Sequence, residues 1–482
     1  MNGILGYATY LPYYRLQRSA ISAALGGPPG KGTRAVASYD EDSTSMAVGA
    51  GRRVLASLPG DLAAVYFATS TPAYLDKTNA TAVHAALGLP PTVGAFDMGG
   101  AVRSAVGALG AGLASTRTSL VLAADIRTGL PGGEDERDGG DGASALVVGP
   151  GSAEHPVIAE HIGGGSATGE FLERWRVPGE AFSRRWEDRF GVHALLPHVG
   201  RAVTAALVGA GVMPDAIDHL IITGTHPRAV AAFARMSRAR PEVLVDGLAS
   251  SVGNTGAAHP GLLLASVLDR AEAGAVIALV VLADGADVLV FRATDTLPGR
   301  RQSPTVAEQV AAGRDDLAYP TFLTWRGMLA RQGPRRPAPT QPAAPPSLRS
   351  EAWKFGFVGS RCRDCGTRHL PPQRVCLKCG AVDHMDAERL ADVPGTIATF
   401  TVDRLAYSPS PPTVLAVVDF DGGGRYRCEL TDVDPTAIAI GDRVEMTFRR
   451  LYEADGVHNY FWKARPLADS APAPSAGQGQ GA

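Results

Sequence analysis

LAAVYFATSTP (62–72) and IDHLIITGTHP (217–227) decide the fold of this chain, because one pattern occurs in it twice. In each copy an apolar run ends at a threonine-containing corner that closes with proline. A continuous apolar run, without polar alternation, is typical of a strand covered on both faces of a sheet. A helical stretch follows each copy, as expected where strands and helices alternate along a parallel-type sheet.

Further matching segments follow each copy in the same order: a strand entering a Gly-rich helix start, an apolar strand, and a Gly-Asp-rich turn into an edge strand. They are VGAFDMGGAVRSAVGALGAGL (93–113), SLVLAAD (119–125) and GGDGASALVVG (139–149) in the first copy, and VLVDGLASSVGNTGAAHPGLLLASVL (243–268), VIALVVLAD (276–284) and ADGADVLVFR (283–292) in the second. This internal repeat predicts an α/β protein with a duplicated five-layer α-β-α-β-α fold. A single large doubly wound sheet is the alternative.

Length and composition exclude several classes of function. The chain has 482 residues, a formal net charge of −2, and 45% apolar and 20% charged residues. At about 100–200 residues per domain, this length predicts two to four domains. The near-neutral charge gives no electrostatic reason for nucleic acid or an anionic membrane as a partner. No apolar run reaches the ~18–20 residues that span a bilayer, and we read no signal peptide, so we expect a cytoplasmic protein.

The Gly-rich helix starts are candidate sites of chemistry. A helix N-terminus presents free N–H groups and a partial positive charge, which stabilise an oxyanion or a phosphate. The duplication is expected to bring both starts together, with His226 from the THP corner and Asn254 from GNTG. Both side chains can hydrogen-bond a thioester carbonyl as charge develops on its oxygen, and His226 can also move a proton. A histidine before proline is also common as a purely structural turn residue.

The motifs of the large unit, taken as an ordered set, resemble the thiolase superfamily: ATSTP, AFDMGG, GGDGASALVVG, THP, VGNTGAA and ADGADVLVF. The branches they resemble are ketoacyl synthase III and the hydroxymethylglutaryl-CoA synthases, and SYDEDSTSMAVGAGRRVL (38–55) is similar to the early helix of archaeal-type members. The resemblance covers residues 1–295. It implies a homodimer in which a cysteine at the first helix start attacks the acyl thioester, assisted by a histidine and by an asparagine or a second histidine. His226 and Asn254 lie at the matching positions of the second half.

The nucleophile of that family is missing. Counting from Asp97 in AFDMGGAVRS, the cysteine position falls on Val102, and the acid/base glutamate of hydroxymethylglutaryl-CoA synthases falls near Ser70. A valine cannot form a covalent acyl-enzyme. Ser104, two positions further along, has no evident base. Arg103 is a candidate ligand for a carboxylate or phosphate, or else a partner in a salt bridge.

The remaining groups suit a substrate that already carries its acyl group. The expected reactions are aldol or retro-aldol cleavage, retro-Claisen cleavage and direct acyl transfer. Thiolase-like aldolases also lack the cysteine and use tyrosines for proton transfer, which makes Tyr74 the preferred candidate here, against ordinary packing. The resemblance also implies basic and aromatic groups that bind coenzyme A, for which Lys31, Arg34 and residues 184–186 (Arg-Arg-Trp) are candidates. A solvated basic surface is the alternative reading of these residues.

Four of the five cysteines form a metal-binding pattern near the C-terminus. Cys362 and Cys365 belong to CRDC, Cys376 and Cys379 belong to CLKC, and ten residues separate the two pairs. Two such knuckles place four thiolates around one ion, so this spacing predicts a structural Zn²⁺ site. Cys428 is expected to be a buried packing residue.

Five short alternating strands follow the knuckles and predict a small OB-type barrel: 396–407, 413–421, 425–431, 442–452 and 459–465. A zinc ribbon with an OB-fold could bind nucleic acid, but residues 351–466 hold 15 Lys and Arg against 16 Asp and Glu, whereas a nucleic-acid module should be basic. SRCRDCGTRHLPPQRVCLKCG followed by PGTIATFTV instead resembles the zinc ribbon plus OB-fold family associated with acyl-CoA enzymes. That resemblance implies a role beside thiolase-like proteins, helping to complete their CoA-binding tunnel.

Composition sets the domain borders, because GPRRPAPTQPAAPPS (333–347) is proline-rich and predicts an extended spacer. The predicted domains are an N-terminal thiolase-like half at 1–165, a C-terminal half at 166–300, a helical and Pro-rich linker at 301–350, a zinc ribbon at 351–392, an OB-fold at 393–467 and a disordered tail at 468–482.

These observations predict an enzyme that acts on an acyl-CoA or acyl-carrier thioester without a cysteine acyl-enzyme. It would make or break a C–C bond, or transfer an acyl group, with His226, Asn254 and Tyr74 as catalytic residues and Lys31, Arg34 and Arg103 as cofactor ligands. One alternative is a hydroxymethylglutaryl-CoA synthase or ketoacyl synthase. The other is a non-catalytic acyl-CoA-binding partner of a separate thiolase. A homodimer is expected, with a partner thiolase or an acyl carrier protein as further candidate partners.

Overall fold

The computed structural model describes residues 2–28, 30–58, 60–335 and 337–467, except for the side chain of Asp188. The chain divides into two compact units, Met1–Leu329 and Ala330–Ala482. The predicted tail at 468–482 lies outside the described residues. No helix in the described ranges is long and apolar enough to cross a membrane.

The first unit alternates strands and helices along the chain. Its strands are β1 (Asn2–Tyr10), β2 (Tyr14–Gln17), β3 (Thr33–Val36), β4 (Ala64–Thr69), β5 (Gly94–Gly99), β6 (Ser119–Asp125), β7 (Gly142–Pro150), β8 (Ala159–Thr168), β9 (Arg174–Trp175), β10 (Arg184–Arg185), β11 (His219–Gly224), β12 (Val276–Leu282) and β13 (Gly285–Ala293). Its helices are α1 (Arg18–Leu25), α2 (Ser43–Ser57), α3 (Ala80–Leu87), α4 (Arg103–Ala114), α5 (Glu134–Asp138), α6 (Asp188–Ala210), α7 (Pro227–Met236), α8 (His259–Leu268), α9 (Val306–Ala311) and α10 (Tyr319–Trp325), with 3₁₀ turns at Pro214–Ala216, Gly256–Ala258 and Leu297–Arg300.

Nine of these strands form one hydrogen-bonded sheet in the order β11-β12-β13-β8-β1-β7-β6-β4-β5. The sheet has two halves with the same internal order, since β4, β6, β7 and β1 correspond to β11, β12, β13 and β8. Among the described strands of the sheet, the two halves pair where β1 meets β8, at Gly3–Glu160 and Ile4–Ala159. The two apolar runs that first indicated a repeat are β4 and β11, which occupy equivalent places.

The two halves enclose a shared core, which gives the predicted five layers. Helices α4 and α8 lie in the middle, α2 and α3 cover the first half from outside, and α6 and α7 cover the second. Strand β12 shows why its sequence is apolar throughout. Its Ile277, Leu279 and Val281 join the middle core with α4 and α8, whereas Ala278 and Val280 face the core formed with α6 and α7.

Residues 301–329 belong to the first unit, although the sequence analysis assigned them to a linker. Phe322 and Tyr319 of α10 are buried against Leu16 and Val36 of the β2–β3 hairpin. This apolar packing was hidden in the sequence, because α9 and α10 are too short to show a helical period.

The second unit is a small three-stranded sheet followed by a closed barrel. Its elements are α11 (Ala344–Arg349), α12 (Glu351–Lys354), β14 (Val358–Cys362), β15 (Arg368–His369), β16 (Met385–Arg389), β17 (Gly395–Asp403), β18 (Thr413–Phe420), β19 (Arg425–Leu430), β20 (Arg443–Ala454) and β21 (Val457–Pro466). The small sheet has the order β15-β14-β16, and the barrel closes as β17-β18-β19-β21-β20. The five barrel strands overlap the five predicted ones. Phe357 and Trp462 are fully buried in its aromatic core, and Trp353 stacks on Phe357 at 5.0 Å.

Candidate active site at the strand ends of the first unit

Asp125 ties the two halves of the first unit together at the end of β6. It is fully buried and accepts hydrogen bonds from the Ser70 N–H and hydroxyl, both at 2.7 Å, and from the Thr69 hydroxyl at 3.0 Å. The Ala257 N–H of the second half donates to the same carboxylate at 2.7 Å. Gly256 must be glycine here, since its φ is +60° and a Cβ would lie 2.2 Å from Asp125 Oδ2. This network fixes the two strand-end corners against each other.

His226 caps the N-terminus of α7 and is fully buried. Its Nδ1 accepts the N–H of Ala229 at 3.1 Å, so a neutral ring carries its proton on Nε2. The start of α6 closes over this ring, because a Cβ on Gly191 would lie 2.3 Å from Nε2. The histidine therefore has the structural turn role considered in the sequence analysis, and the N–H of its neutral ring is on Nε2.

Asn254 lies beside the end of the strand that leads to His226. Its Nδ2 donates to the Gly224 carbonyl at 2.9 Å, and its Oδ1 accepts the Gly256 N–H at 2.9 Å. Of the two hydrogens on Nδ2, one is therefore committed to β11. The structure thus brings His226 and Asn254 to the same strand end, as the repeat predicts.

The first-half helix start carries Val102 and Arg103. Val102 precedes α4 and is only 8% exposed. Arg103 forms an ion pair with Asp287, with Nε and Oδ2 2.8 Å apart, and donates to the Asp284 carbonyl at 2.6 Å. Ser104 donates its hydroxyl to the Gly99 carbonyl at 2.9 Å. Of the alternatives for Arg103, the structure therefore contains the salt bridge, which lies within the unit.

Arg34 has a different role from the predicted one. It is fully buried, donates to the Glu136 carbonyl at 2.5 Å, and pairs with Asp141 at 3.2 Å. Burial lowers the pKa of its guanidinium to about 10, and the Asp141 carboxylate opposes that shift. Because these internal contacts hold the side chain away from solvent, Arg34 cannot bind a phosphate at the mouth of a tunnel. Lys31 is exposed.

Tyr74 is half-buried in the loop that follows β4. Asn79 holds its backbone, accepting the Tyr74 N–H at 3.0 Å and donating to its carbonyl at 2.9 Å. These contacts fix the backbone of the loop. A catalytic role for the Tyr74 hydroxyl stays a prediction.

The hairpin of β9 and β10 brings charged side chains that the sequence analysis did not single out for catalysis. Arg176 donates to the Ser70 carbonyl, and Arg174 makes a bidentate ion pair with Asp135 at 2.7 and 2.8 Å. Glu173 is 8% exposed, and burial raises the pKa of its carboxyl, while the charges of Arg185 and Arg174 oppose that rise. This segment gave no signal in the sequence because it has neither helical nor strand periodicity.

A cavity of about 590 Å³ lies beside this hairpin. Its lining residues are Glu134, Arg185, Trp186, Glu187, Arg189 and Arg228. Trp186 is 58% exposed, and Arg185 contacts Glu134 at 2.6 Å. Two of the predicted coenzyme A ligands therefore line one cavity, whereas Arg184 pairs with Glu180 at 2.5 Å.

The four clustered cysteines of the second unit converge as their spacing predicts. All four sulfur atoms lie within 4.8 Å of one another, and the Cys362–Cys379 and Cys365–Cys376 pairs are 3.6 and 3.5 Å apart. Tetrahedral Zn–S bonds of about 2.3 Å require sulfur atoms ~3.8 Å apart, so the four thiolates fit one Zn²⁺. Cys428 is separate and buried in the barrel, as predicted.

Comparison with known proteins agrees with this division. Residues 356–383 match the family model described as the ChsH2 rubredoxin-like zinc ribbon domain, and residues 388–449 match the ChsH2 C-terminal OB-fold domain. Hydroxymethylglutaryl-CoA synthase of Methanopyrus kandleri is 29% identical over 349 residues, which cover 68% of this chain and 97% of the relative. The corresponding protein of Aeropyrum pernix is 28% identical and covers 68% and 94%.

Solved structures with a similar fold belong to the same kinds of enzyme. A hydroxymethylglutaryl-CoA synthase complexed with CoA superposes with a TM-score of 0.58 at 20% identity, covering 67% of this chain and 89% of that one. The 3-oxoacyl-(acyl carrier protein) synthase III of Pseudomonas aeruginosa gives 0.51 at 25% identity, covering 61% and 98%. The first unit has the thiolase-like fold.

The second unit completes the domain assignment. It contains a zinc ribbon with four cysteine ligands, followed by an OB-fold. Both predicted resemblances are confirmed, and so is the duplicated fold. In the thiolase-like unit, the position that the resemblance assigns to the nucleophile is Val102. The position that it assigns to the glutamate falls near Ser70, whose hydroxyl donates to Asp125.

Proposed function

We propose that the protein acts on acyl-CoA or acyl-carrier thioesters and makes or breaks a C–C bond next to the thioester, without a cysteine acyl-enzyme. The observation that carries this proposal is the tautomer of the His226 ring. Its Nδ1 accepts a backbone N–H, so the neutral ring carries its proton on Nε2, next to the strand end where Asn254 lies. A fixed donor of this kind stabilises a thioester oxygen as negative charge develops on it.

The expected chemistry follows from what this chain retains and what it lacks. With Val102 at the nucleophile position, no acyl group can be bound covalently at that position. Aldol and Claisen-type steps need only an enolate of the bound thioester and a group that moves protons. Direct acyl transfer between two bound substrates likewise needs no covalent acyl group on residue 102.

The cavity lined by Arg185, Trp186, Arg189 and Arg228 is the proposed place for the nucleotide end of coenzyme A. Guanidinium groups bind phosphate, and an exposed indole ring offers a face on which adenine can stack. The relatives whose names include CoA support this choice of substrate class. Cytoplasmic location, a homodimer and an acyl carrier protein as donor remain parts of the proposal.

A panel of β-hydroxyacyl-CoA and β-ketoacyl-CoA esters tests the function directly. The informative variants are His226→Asn, which keeps an N-cap acceptor but removes the Nε2 donor, and Asn254→Ala. We expect each to lower turnover on the order of 10²–10³-fold, as for loss of one oxyanion donor. His219→Ala is the control, because His219 begins the same strand at its opposite end. Unchanged rates in both site variants would refute the proposed site.

A second candidate function is a silent acyl-CoA-binding partner of a separate thiolase. The observation that favours it is Val102, since a protein without the nucleophile can still bind the thioester. Tight acyl-CoA binding by the wild-type protein, with no turnover of any ester in the panel, would select this reading over the enzyme. A hydroxymethylglutaryl-CoA synthase reaction of the cysteine type would instead require an acyl-protein adduct on the wild-type chain.

A further inference from the structure

The thiolase-like unit has an unfilled role, because the position assigned to the glutamate acid/base is Ser70. Both the N–H and the hydroxyl of Ser70 donate to Asp125, so this residue is part of a structural network. Asp125 itself accepts from both halves of the unit and has no capacity left for proton transfer. An enolate reaction therefore needs another group that can take up and return a proton.

Glu173 has the properties that this role requires. It is 8% exposed, and within the described ranges its Oε1 has no hydrogen-bond partner. A buried carboxyl oxygen without a partner is costly to a fold, and a catalytic role is one physical explanation for such a group. Its backbone is fixed, since its carbonyl accepts the Trp186 N–H at 2.8 Å across the hairpin.

The hairpin that carries Glu173 contacts the strand end of the first half, because Arg176 donates to the Ser70 carbonyl. The Glu173 carboxyl also interacts electrostatically with His226 and with Asp284. The Asp284 carbonyl in turn holds Arg103, the first residue of α4 and the neighbour of Val102. The carboxyl thus interacts with the second-half histidine and with the residue whose carbonyl anchors the first-half helix start.

We propose that Glu173 is the catalytic acid/base of this protein, supplied by the β9–β10 segment in place of the residue missing at Ser70. This inference rests on the proposed thioester function and names the group that moves the proton in it. The substrate class is a 3-hydroxyacyl thioester in the cleavage direction.

The step balances without a further reactant. The Glu173 carboxylate takes the proton of the β-hydroxyl, whose O–H electron pair forms the new carbonyl bond. The Cα–Cβ bond breaks, and its electron pair becomes the thioester enolate, whose oxygen accepts the Nε2–H of His226. Protonated Glu173 then returns the proton to the enolate carbon. The products are an aldehyde or ketone and a shortened acyl thioester.

The surroundings tune Glu173 for this task. Burial raises the pKa of Glu173 and Asp284 adds to the rise, whereas Arg185 and Arg174 lower it. A carboxyl group whose pKa is raised above the ordinary value of 4.5 is a stronger base in its ionised form.

Deuterium exchange separates this inference from the function on which it rests. Acetyl-CoA in D₂O reports removal of the α-proton, and cleavage of 3-hydroxyacyl-CoA esters reports turnover. We expect Glu173→Gln to lower both on the order of 10²–10⁴-fold while acetyl-CoA binding stays as in wild type. Glu173→Asp should restore part of the exchange. Glu170→Gln is the matched control, because Glu170 is exposed in the same segment and also interacts with Asp284.

The stability of Glu173→Gln shows whether a loss of exchange or turnover could come from misfolding. The raised pKa means that the folded chain binds this proton more tightly than the unfolded chain. Its contribution to stability is therefore present below pH 4.5 and is lost as the pH rises through the folded-state pKa. Glu173→Gln should accordingly unfold no earlier than wild type at pH 7–8.

Each outcome decides. Wild-type exchange that His226→Asn suppresses and Glu173→Gln leaves unchanged overturns the role of Glu173 alone. Loss of exchange in Glu173→Gln, in a folded protein that still binds acetyl-CoA, supports it. A wild-type protein that neither exchanges nor cleaves any ester overturns the proposed function together with this inference.

Discussion

At the residue scale, Val102 decides which chemistry is open to this protein. It lies at the N-terminus of α4, where free N–H groups would lower the pKa of a thiol. Its side chain is nearly buried, so a cysteine, which is smaller, fits without displacing its neighbours. The valine therefore removes a nucleophile from a helix start that is otherwise suited to one.

Restoring the thiol tests whether the helix start still faces a thioester. We expect Val102→Cys to form an acetyl adduct when incubated with acetyl-CoA, seen by intact-protein mass spectrometry, whereas wild type forms none. Ser104→Cys is the control, because Ser104 is on the same helix start but is directed to the Gly99 carbonyl. Equal labelling of both variants, or labelling of Ser104→Cys alone, would contradict the placement of the site.

The sequence predicts where a residue lies in the fold when a motif surrounds it. It does not predict the surroundings of an isolated charged residue. His226 and Asn254 follow from the repeat, because each belongs to a strand-end corner whose partner exists in the other half. Arg34 carries no such signal, since the sequence does not say whether a guanidinium is solvated or buried against Asp141. The role proposed for Glu173 depends on neighbours that are distant in sequence, so no motif marks this residue.

At the element scale, apolar runs predict several strands of the first unit. A glycine-rich segment that also forms a strand carries no such signal. Strands β4, β6, β11 and β12 are continuous apolar segments, so the sequence marks them clearly. Strand β8 contains three consecutive glycines, which disfavour a strand by propensity. The structure explains them by close helix packing: a Cβ on Gly165 would lie 2.2 Å from the Ala202 carbonyl of α6.

The zinc ribbon gives a prediction about an element held by its metal. Cys376→Ser should lower bound zinc, measured by inductively coupled plasma mass spectrometry, from one ion per chain to nearly none. It should also lower the unfolding temperature of the full-length protein, because metal binding contributes folding free energy in such sites. Cys428→Ala is the matched control, since Cys428 lies in the barrel away from the cluster. Retention of one tightly bound ion by Cys376→Ser would contradict the four-cysteine site.

At the scale of the whole molecule, composition indicated two units but not the border between them. The proline-rich stretch lies in the second unit, which begins at Ala330. Helices α9 and α10 extend the first unit beyond the repeat, and their role is tertiary packing on the β2–β3 hairpin. Packing of this kind is invisible to a reading that relies on periodicity.

The free edge of the sheet leads to a prediction about assembly. Strand β5 ends the nine-stranded sheet and, among the described strands, pairs only with β4. Phe96 on this strand is 52% exposed and stacks on Tyr66 at 6.0 Å. An exposed edge with an aromatic side chain invites pairing with another strand, and a twofold axis allows the same edge of a second copy to serve.

We therefore expect the wild-type protein to have twice the mass of one chain in light scattering after size-exclusion chromatography. Phe96→Asp should shift it to the mass of one chain, because the introduced charge would be buried against its symmetry mate at the edge. Val208→Asp is the control, since Val208 is 78% exposed on α6, on the outer face of the second half. A dimer that Val208→Asp breaks and Phe96→Asp leaves intact would move the interface away from β5. A monomeric wild type would show that this edge is left unpaired in solution.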